Sequence, residues 1–276
     1  MTLTTPVKLC AFAAALALLF GAAALVGGAI EPLRANVTAS SDQMMGADAM
    51  GVRGLAVSDD QFTLHLARHA AQPGKRFEQA FRITDARGAV VKDFDVEHTK
   101  RMHFIVVRRD MTDFQHVHPV ESPDGTWRVP LTLHEPGSYR VFADFAIAGT
   151  PHTLADDLST NGRVTWHSLP KPSRVATTDG FKVQLTEGPT EVGKESSLNF
   201  VVTRHGQPIH TQNYLGAKGH LVALRQGDLA FLHVHPAPDT LDFEAAFPSA
   251  GAYRLFLQFK VDGHVHTAEF TQEVSQ

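Results

Sequence analysis

Histidine is the residue whose number and spacing in this chain could do chemistry. There are 16, against three Tyr, two Trp and a single Cys, and His is the side chain that joins a near-neutral pKa to affinity for metal ions. The densest words are DFQHVHP at 113–119 and AFLHVHP at 230–236, the same pair written twice and closed each time by a proline. Side chains on a strand alternate faces, so His116 and His118 share one face while Val117 takes the other, and His233 and His235 do the same. Clustered neutral imidazoles without thiolate suit a borderline divalent transition metal, Cu(II), Zn(II) or Ni(II). A lone HxH pair beside a proline is equally compatible with a structural role. It is the recurrence that points to metal, because neighbouring positions differ freely between the copies, Gln115 against Leu232 and Arg128 against Glu244. Met44, Met45, Met50, Met102 and Met111 could add soft ligands for Cu(I), or serve as linker and core.

Each pair needs a strand to hold it. MHFIVVRRDMTDFQHVHP and GHLVALRQGDLAFLHVHP read as hairpins with turns at RDMT and QGDL. A turn centred between 110 and 111 puts His103 opposite His118, and the matching turn in the second copy puts His220 opposite His235. A fourth histidine is expected from across the sheet. His152 and His266 each follow a tyrosine, Tyr139 and Tyr253, by 13 residues, and a strand running antiparallel to the first would return them to the same end. The expectation is two separate rims, His103, His116, His118 and His152 in one and His220, His233, His235 and His266 in the other. His98 and His264 are additional candidates without counterparts. Pro119 and Pro236 end their strands and would keep each pair at an edge, where an ion can enter.

The hairpins belong to a longer repeat. DQFTLHL answers GFKVQL, and EPGSYRVFADFAIAGTPHT answers SAGAYRLFLQFKVDGHVHT. Both copies show period-two runs of Val, Ile, Phe, Leu and Thr broken by Gly, Pro and Asp. About 110 residues of short strands predicts a β-sandwich, and a Gly turn followed by Tyr139 or Tyr253 resembles the tyrosine corner of immunoglobulin-like domains. The fold expected is all-β, two tandem immunoglobulin-like sandwiches at 59–168 and 179–276, joined by a linker at 169–178. They follow an N-terminal transmembrane or signal helix within 1–34 and a Ser, Gly, Ala and Met-rich linker at 35–58.

Residues 9–30 carry no charge and follow Lys8; about 20 apolar residues suffice to cross a bilayer. Either an uncleaved single-pass anchor or a cleaved signal places the remainder outside the cytoplasm. Cys10 lies in this segment, so the exported part has neither disulfide nor thiol chemistry. A net charge of −4 without a basic stripe argues against nucleic acid.

No nucleophile elbow, P-loop or dinucleotide motif is present. HVHPVE resembles part of a cupin motif, but Glu121 falls one residue early and the second copy reads HVHPAPD. A non-enzymatic protein is expected. HTKRMHFIVVRRDMTDFQHVHP with GSYRVFADF, and YLGAKGHLVALRQGDLAFLHVHP, resemble bacterial exported or membrane-anchored proteins with tandem immunoglobulin-like or YtkA-like sandwich domains. That resemblance spans about 60–276 and implies an association with heavy-metal handling. Two functions follow: an exported protein binding copper or zinc, with the metal ion and the membrane as its partners, or an extracytoplasmic module that binds a protein partner and uses its histidines for structure or pH response.

Overall fold

Short β-branched and aromatic runs separated by residues that tolerate positive φ make antiparallel strands joined by tight turns. In the computed structural model, which describes residues 52–59, 61–188, 191–232 and 234–276, this pattern yields strands and no helix. Among these residues no helix is long and apolar enough to cross a membrane. The expected N-terminal helix and the linker up to residue 51 lie outside the described residues.

In the first repeat one sheet runs in the order β1 (Phe62–Leu66), β3 (Arg76–Asp85), β7 (Trp127–Thr132), β6 (Val120–Glu121). The facing sheet runs β2 (Ala70–Ala71), β9 (Thr150–Thr160), β8 (Gly137–Ile147), β4 (His103–Arg108), β5 (Gln115–Val117). Lettered along the chain this is A-B-E-D against G-F-C, the constant-type immunoglobulin order, with the short β2 added beside G and β5 beside C. The second repeat copies it: β11 (Phe181–Glu187), β12 (Glu195–Arg204), β17 (Asp242–Ala246) and β16 (His235–Pro236) oppose β15 (Phe231–Leu232), β14 (Gly219–Arg225), β18 (Gly251–Val261) and β19 (His264–Val274). The additions are β10 (Val175–Thr178) outside β11 and β13 (Gln207–Pro208) on β12.

Both corners are tied as expected. The Tyr139 hydroxyl lies 2.8 Å from Glu135 O and accepts from Glu135 N at 3.0 Å; the Tyr253 hydroxyl donates to Ser249 O at 2.9 Å. Each sandwich closes on its own core, with Phe81, Phe104, Trp127 and Val141 in the first and Phe181, Phe200, Phe243 and Leu257 in the second.

A third core lies between the repeats. Ile105, Val107, Met111 and Phe142 pack on Val222, Leu224, Phe231 and Phe256. The outer faces of the two β4/β8 and β14/β18 sheets are thus buried against each other. This explains why β4 is buried at all six positions: a sheet covered on both faces carries a continuous apolar run rather than an alternation. Phe114 stacks on Phe256 with ring centres 4.1 Å apart, and their repeat equivalents Phe231 and Phe142 meet at 5.4 Å. Residues preceding β1 are wedged into this seam: Arg53 bridges to Phe231 and Gly54 N donates to Thr153 O. Gly54, at φ +69°, sits where a Cβ would come within 2.8 Å of the Phe142 ring.

Candidate metal centre

The hairpin register places the histidines. Phe104 pairs with Val117 and Ile105 with His116, and Ala223 pairs with Leu232, the registers expected from the sequence. In β4 the odd positions His103, Ile105 and Val107 face the seam, while Phe104 and Val106 face the sandwich core. His116, opposite Ile105, and His118, just beyond β5, join His103 on the seam side. Pro119 then separates β5 from β6, where the chain crosses to the other sheet.

One ring nitrogen from each of His103, His116 and His118 lies within 4.8 Å of the other two. Their ring centres are 5.2, 5.0 and 4.9 Å apart. Three imidazoles around one tetrahedral ion, with metal–nitrogen bonds of about 2.0 to 2.1 Å, hold ring centres roughly 5 Å apart. The closest pair is His103 Nδ1 and His116 Nε2, at 3.0 Å.

The outer nitrogens decide what that pair is. His103 Nε2 faces Glu97 O at 3.2 Å, and a carbonyl only accepts, so Nε2 carries the proton and Nδ1 is bare. His116 Nδ1 faces Gln258 Oε1 at 2.8 Å, with the same amide's nitrogen directed at Thr267 Oγ1, 3.5 Å away. With the amide turned end for end, His116 Nδ1 accepts and Nε2 donates to His103; with the amide in this orientation His116 Nε2 is bare as well. Two lone pairs at this distance repel unless a proton or a cation lies between them. The proton is disfavoured: burial first, then the neighbouring His118, lowers the His103 pKa to about 3, and burial pushes His116 well below its usual value. His118 falls to about 4 through burial and then Lys100, and its Nε2 is buried without a hydrogen-bond partner. All three are held in the neutral form that ligates metal, and the His103 and His116 bonds supply the outer contacts that orient metal-binding imidazoles.

The second repeat contributes to the same place. A cavity of about 50 Å³ is lined by Glu97, His98, His103, His116, Asp144 and His220 together with Ile105, Val222 and Phe231 of the seam and apolar residues of the second sandwich's core, room for a few water molecules or one ion. His220 Nε2 donates to Tyr214 O at 2.9 Å, six residues back, as His103 does to Glu97. Both carbonyls belong to turns with two positive-φ residues, His98 and Thr99 in one and Leu215 and Gly216 in the other, the type I′ geometry of tight hairpins. Asp144, the strand partner of His103, accepts from Thr153 Oγ1 at 2.7 Å, and burial raises its pKa to about 6.

Several expectations change. His152 and His266 do not approach the cluster. His152 pairs with Phe145 and His266 with Phe259, one residue out of phase with the seam face, and a one-residue shift turns a side chain to the other side of a sheet. Each closes the sandwich end instead: His152 Nδ1 lies 2.8 Å from Asp59 and packs on Phe62, and His266 Nδ1 lies 2.8 Å from Asp179 and packs on Phe181. His220 of the second repeat meets the histidines of the first at one junction, because the sheet faces that carry them meet. His264 is exposed at the β18–β19 hairpin. Met102 and Met111 are core residues of the first repeat and the seam; Met44, Met45 and Met50 lie outside the described residues. So does His233, and of His235 only the backbone is described, paired with Glu244. Asp144, Gln258 and the carbonyls of Glu97 and Tyr214 were not singled out from sequence; Gln258 shares its face with Phe256, two residues back.

Over residues 56–162 and again over 176–276 the sequence matches the family described as Domain of unknown function (DUF8832). The chain belongs to this family. That match shows the two repeats of the expected resemblance; its description assigns no metal and no YtkA-like character. No curated protein matches the sequence. Solved structures similar to the chain include the Escherichia coli adhesin FdeC, at 15% identity over 80% of this chain and a TM-score of 0.28. Trypsin-activated alpha-2-macroglobulin from Escherichia coli matches at 14% identity over 81% of this chain and a TM-score of 0.30, and the Yersinia pseudotuberculosis adhesin InvE at 12% over 76% and 0.23. The chain spans 66%, 16% and 58% of those three proteins respectively.

Proposed function

We propose that the protein is an exported, non-enzymatic metal-binding protein that holds one divalent transition ion, copper or zinc, between its two sandwiches. The observation that carries this reading is the facing pair of ring nitrogens on His103 and His116, 3.0 Å apart, with His118 Nε2 buried and unpartnered beside them. Tetrahedral coordination would set ligand nitrogens roughly 3.3 Å apart. The apolar segment 9–30 supports export by anchor or signal. A binding role fits better than catalysis because Asp144, the buried carboxylate of the cavity wall, has Gln258 as its repeat counterpart, while Glu97, the other acidic residue there, meets His103 through its backbone carbonyl.

The competing reading is a protein-interaction module with structural histidines. It requires the Gln258 amide turned end for end, so that His116 Nε2 donates to His103 and no ion is needed. Calorimetry on the chelator-stripped full chain separates the two. One Zn(II) or Cu(II) per chain is expected; binding no tighter than about 10 μM, roughly −7 kcal/mol, would sink the metal reading. So would an unchanged stoichiometry after joint His116→Ala and His118→Ala substitution.

A further inference from the structure

We infer that the ion's fourth ligand is His220 of the second repeat, so that loading the site locks the two sandwiches together. This rests on the metal reading above and says where that site is completed. The triad by itself is a three-nitrogen set from one repeat, open on the side that faces the seam. Across that opening stands His220, 7% exposed, on the wall of the same cavity. Its Nε2 is committed to Tyr214 O, leaving Nδ1 as the bare nitrogen. That is the nitrogen His103 turns to the triad, in the same strand position with the same carbonyl six residues back.

The ring of His220 is centred 6.3 Å from that of His116 and 6.5 Å from that of His103. Those separations exceed the triad's own by about 1.1 to 1.6 Å. Coordination would therefore draw β14 toward β4, a displacement within reach of a side-chain adjustment. The second repeat also holds the triad from behind, because Gln258, the strand partner of His220, fixes His116 Nδ1 at 2.8 Å. An ion at the triad would thus be tied to the second repeat twice, through His220 as ligand and through Gln258 as a positioning residue. His98, exposed at the rim with its ring 5.1 Å from that of His220, stands where an arriving ion would first meet imidazole.

The test uses the full chain loaded with Zn(II). X-ray absorption counts coordinated imidazoles, and hydrogen exchange reports amide protection in β4 and β14 with and without the ion. Four imidazoles are expected, with protection rising on both sides of the seam. His220→Ala should leave three, lower affinity by roughly 10- to 100-fold, as loss of a partner in a metal site does, and abolish the added protection of β14. His220→Gln, closer in size, guards against a folding defect, with thermal melts of the ion-free variants as control. Three imidazoles in the unaltered chain, or an affinity and exchange pattern indifferent to both substitutions, overturns the inference while leaving the triad reading intact. Absence of any Zn(II) binding removes both.

Discussion

Both repeats carry, at the start of β4 or β14, a buried histidine held by a carbonyl six residues upstream, yet they furnish its surroundings differently. Around His103 the first repeat sets His116, His118 and a buried acid, Asp144; beside His220 the second repeat sets Gln258. In the proposed centre the first repeat supplies three imidazoles, while the second supplies His220 and, through Gln258, the hydrogen bond that aims His116. The difference teaches that matching positions of two halves brought face to face can take different parts: Asp144 and Gln258 are equivalent by repeat and unlike in chemistry.

Substitutions break this division most sharply at the ligands. His103→Ala should reduce affinity beyond the His220→Ala effect, to weaker than about 10 μM, because it removes the nitrogen closest to His116; calorimetry orders the two. Gln258→Leu should weaken binding by about 10- to 100-fold, whereas Gln258→Glu, which keeps an acceptor for His116 Nδ1, should retain it. Next come the seam residues. Phe142→Ala removes a ring buried between the repeats and should cost about 3 to 5 kcal/mol. Gly54→Ala, at positive φ against Phe142 and Phe231, should cost about 1 to 3 kcal/mol, both read by denaturant unfolding of the ion-free chain.

Acidity probes the same contrast. His103, His116, His118 and His220 all have folded-state pKa values below the usual 6.5. The unfolded chain therefore binds more protons, and their contribution to stability is full above about pH 6.5 and lost as pH falls toward 4. Asp144, raised to about 6, works in the opposite direction with one proton against four. Unfolding of the ion-free protein should become easier from pH 6.5 to 4.5, and His118→Gln should flatten the slope. The smallest effect is expected at the corners. Tyr139→Phe, which also loses an Asp113 contact at 2.9 Å, should cost about 1 to 2 kcal/mol, and Tyr253→Phe about 1.

Much of this was legible in the sequence for local reasons. Strand period, hairpin register and the tyrosine corners depend on neighbours in the chain, and MHFIVV with DFQHVH fixes the β4–β5 pairing by itself. His152 went astray because position along a strand was used without its parity: Phe145 and His152 share the inner face, Asp144 and Thr153 the outer. The joining of the copies had a signal too. HFIVVR and HLVALR are apolar on both faces, unlike RFEQAFRITD of β3, whose alternation marks one face in water. A strand apolar on both sides must be covered twice, and the second cover here is the other repeat. Nothing local announces Gln258, which acts across 142 residues of chain.

The crossed rings at the seam carry one more consequence. Phe114 of the first repeat meets Phe256 of the second, and their equivalents Phe231 and Phe142 meet in return. Residue i touching j while j touches i is the mark of a twofold axis relating identical subunits. The seam therefore has the form of a homodimer interface enclosed in a single polypeptide, one in which the equivalent positions Asp144 and Gln258 differ.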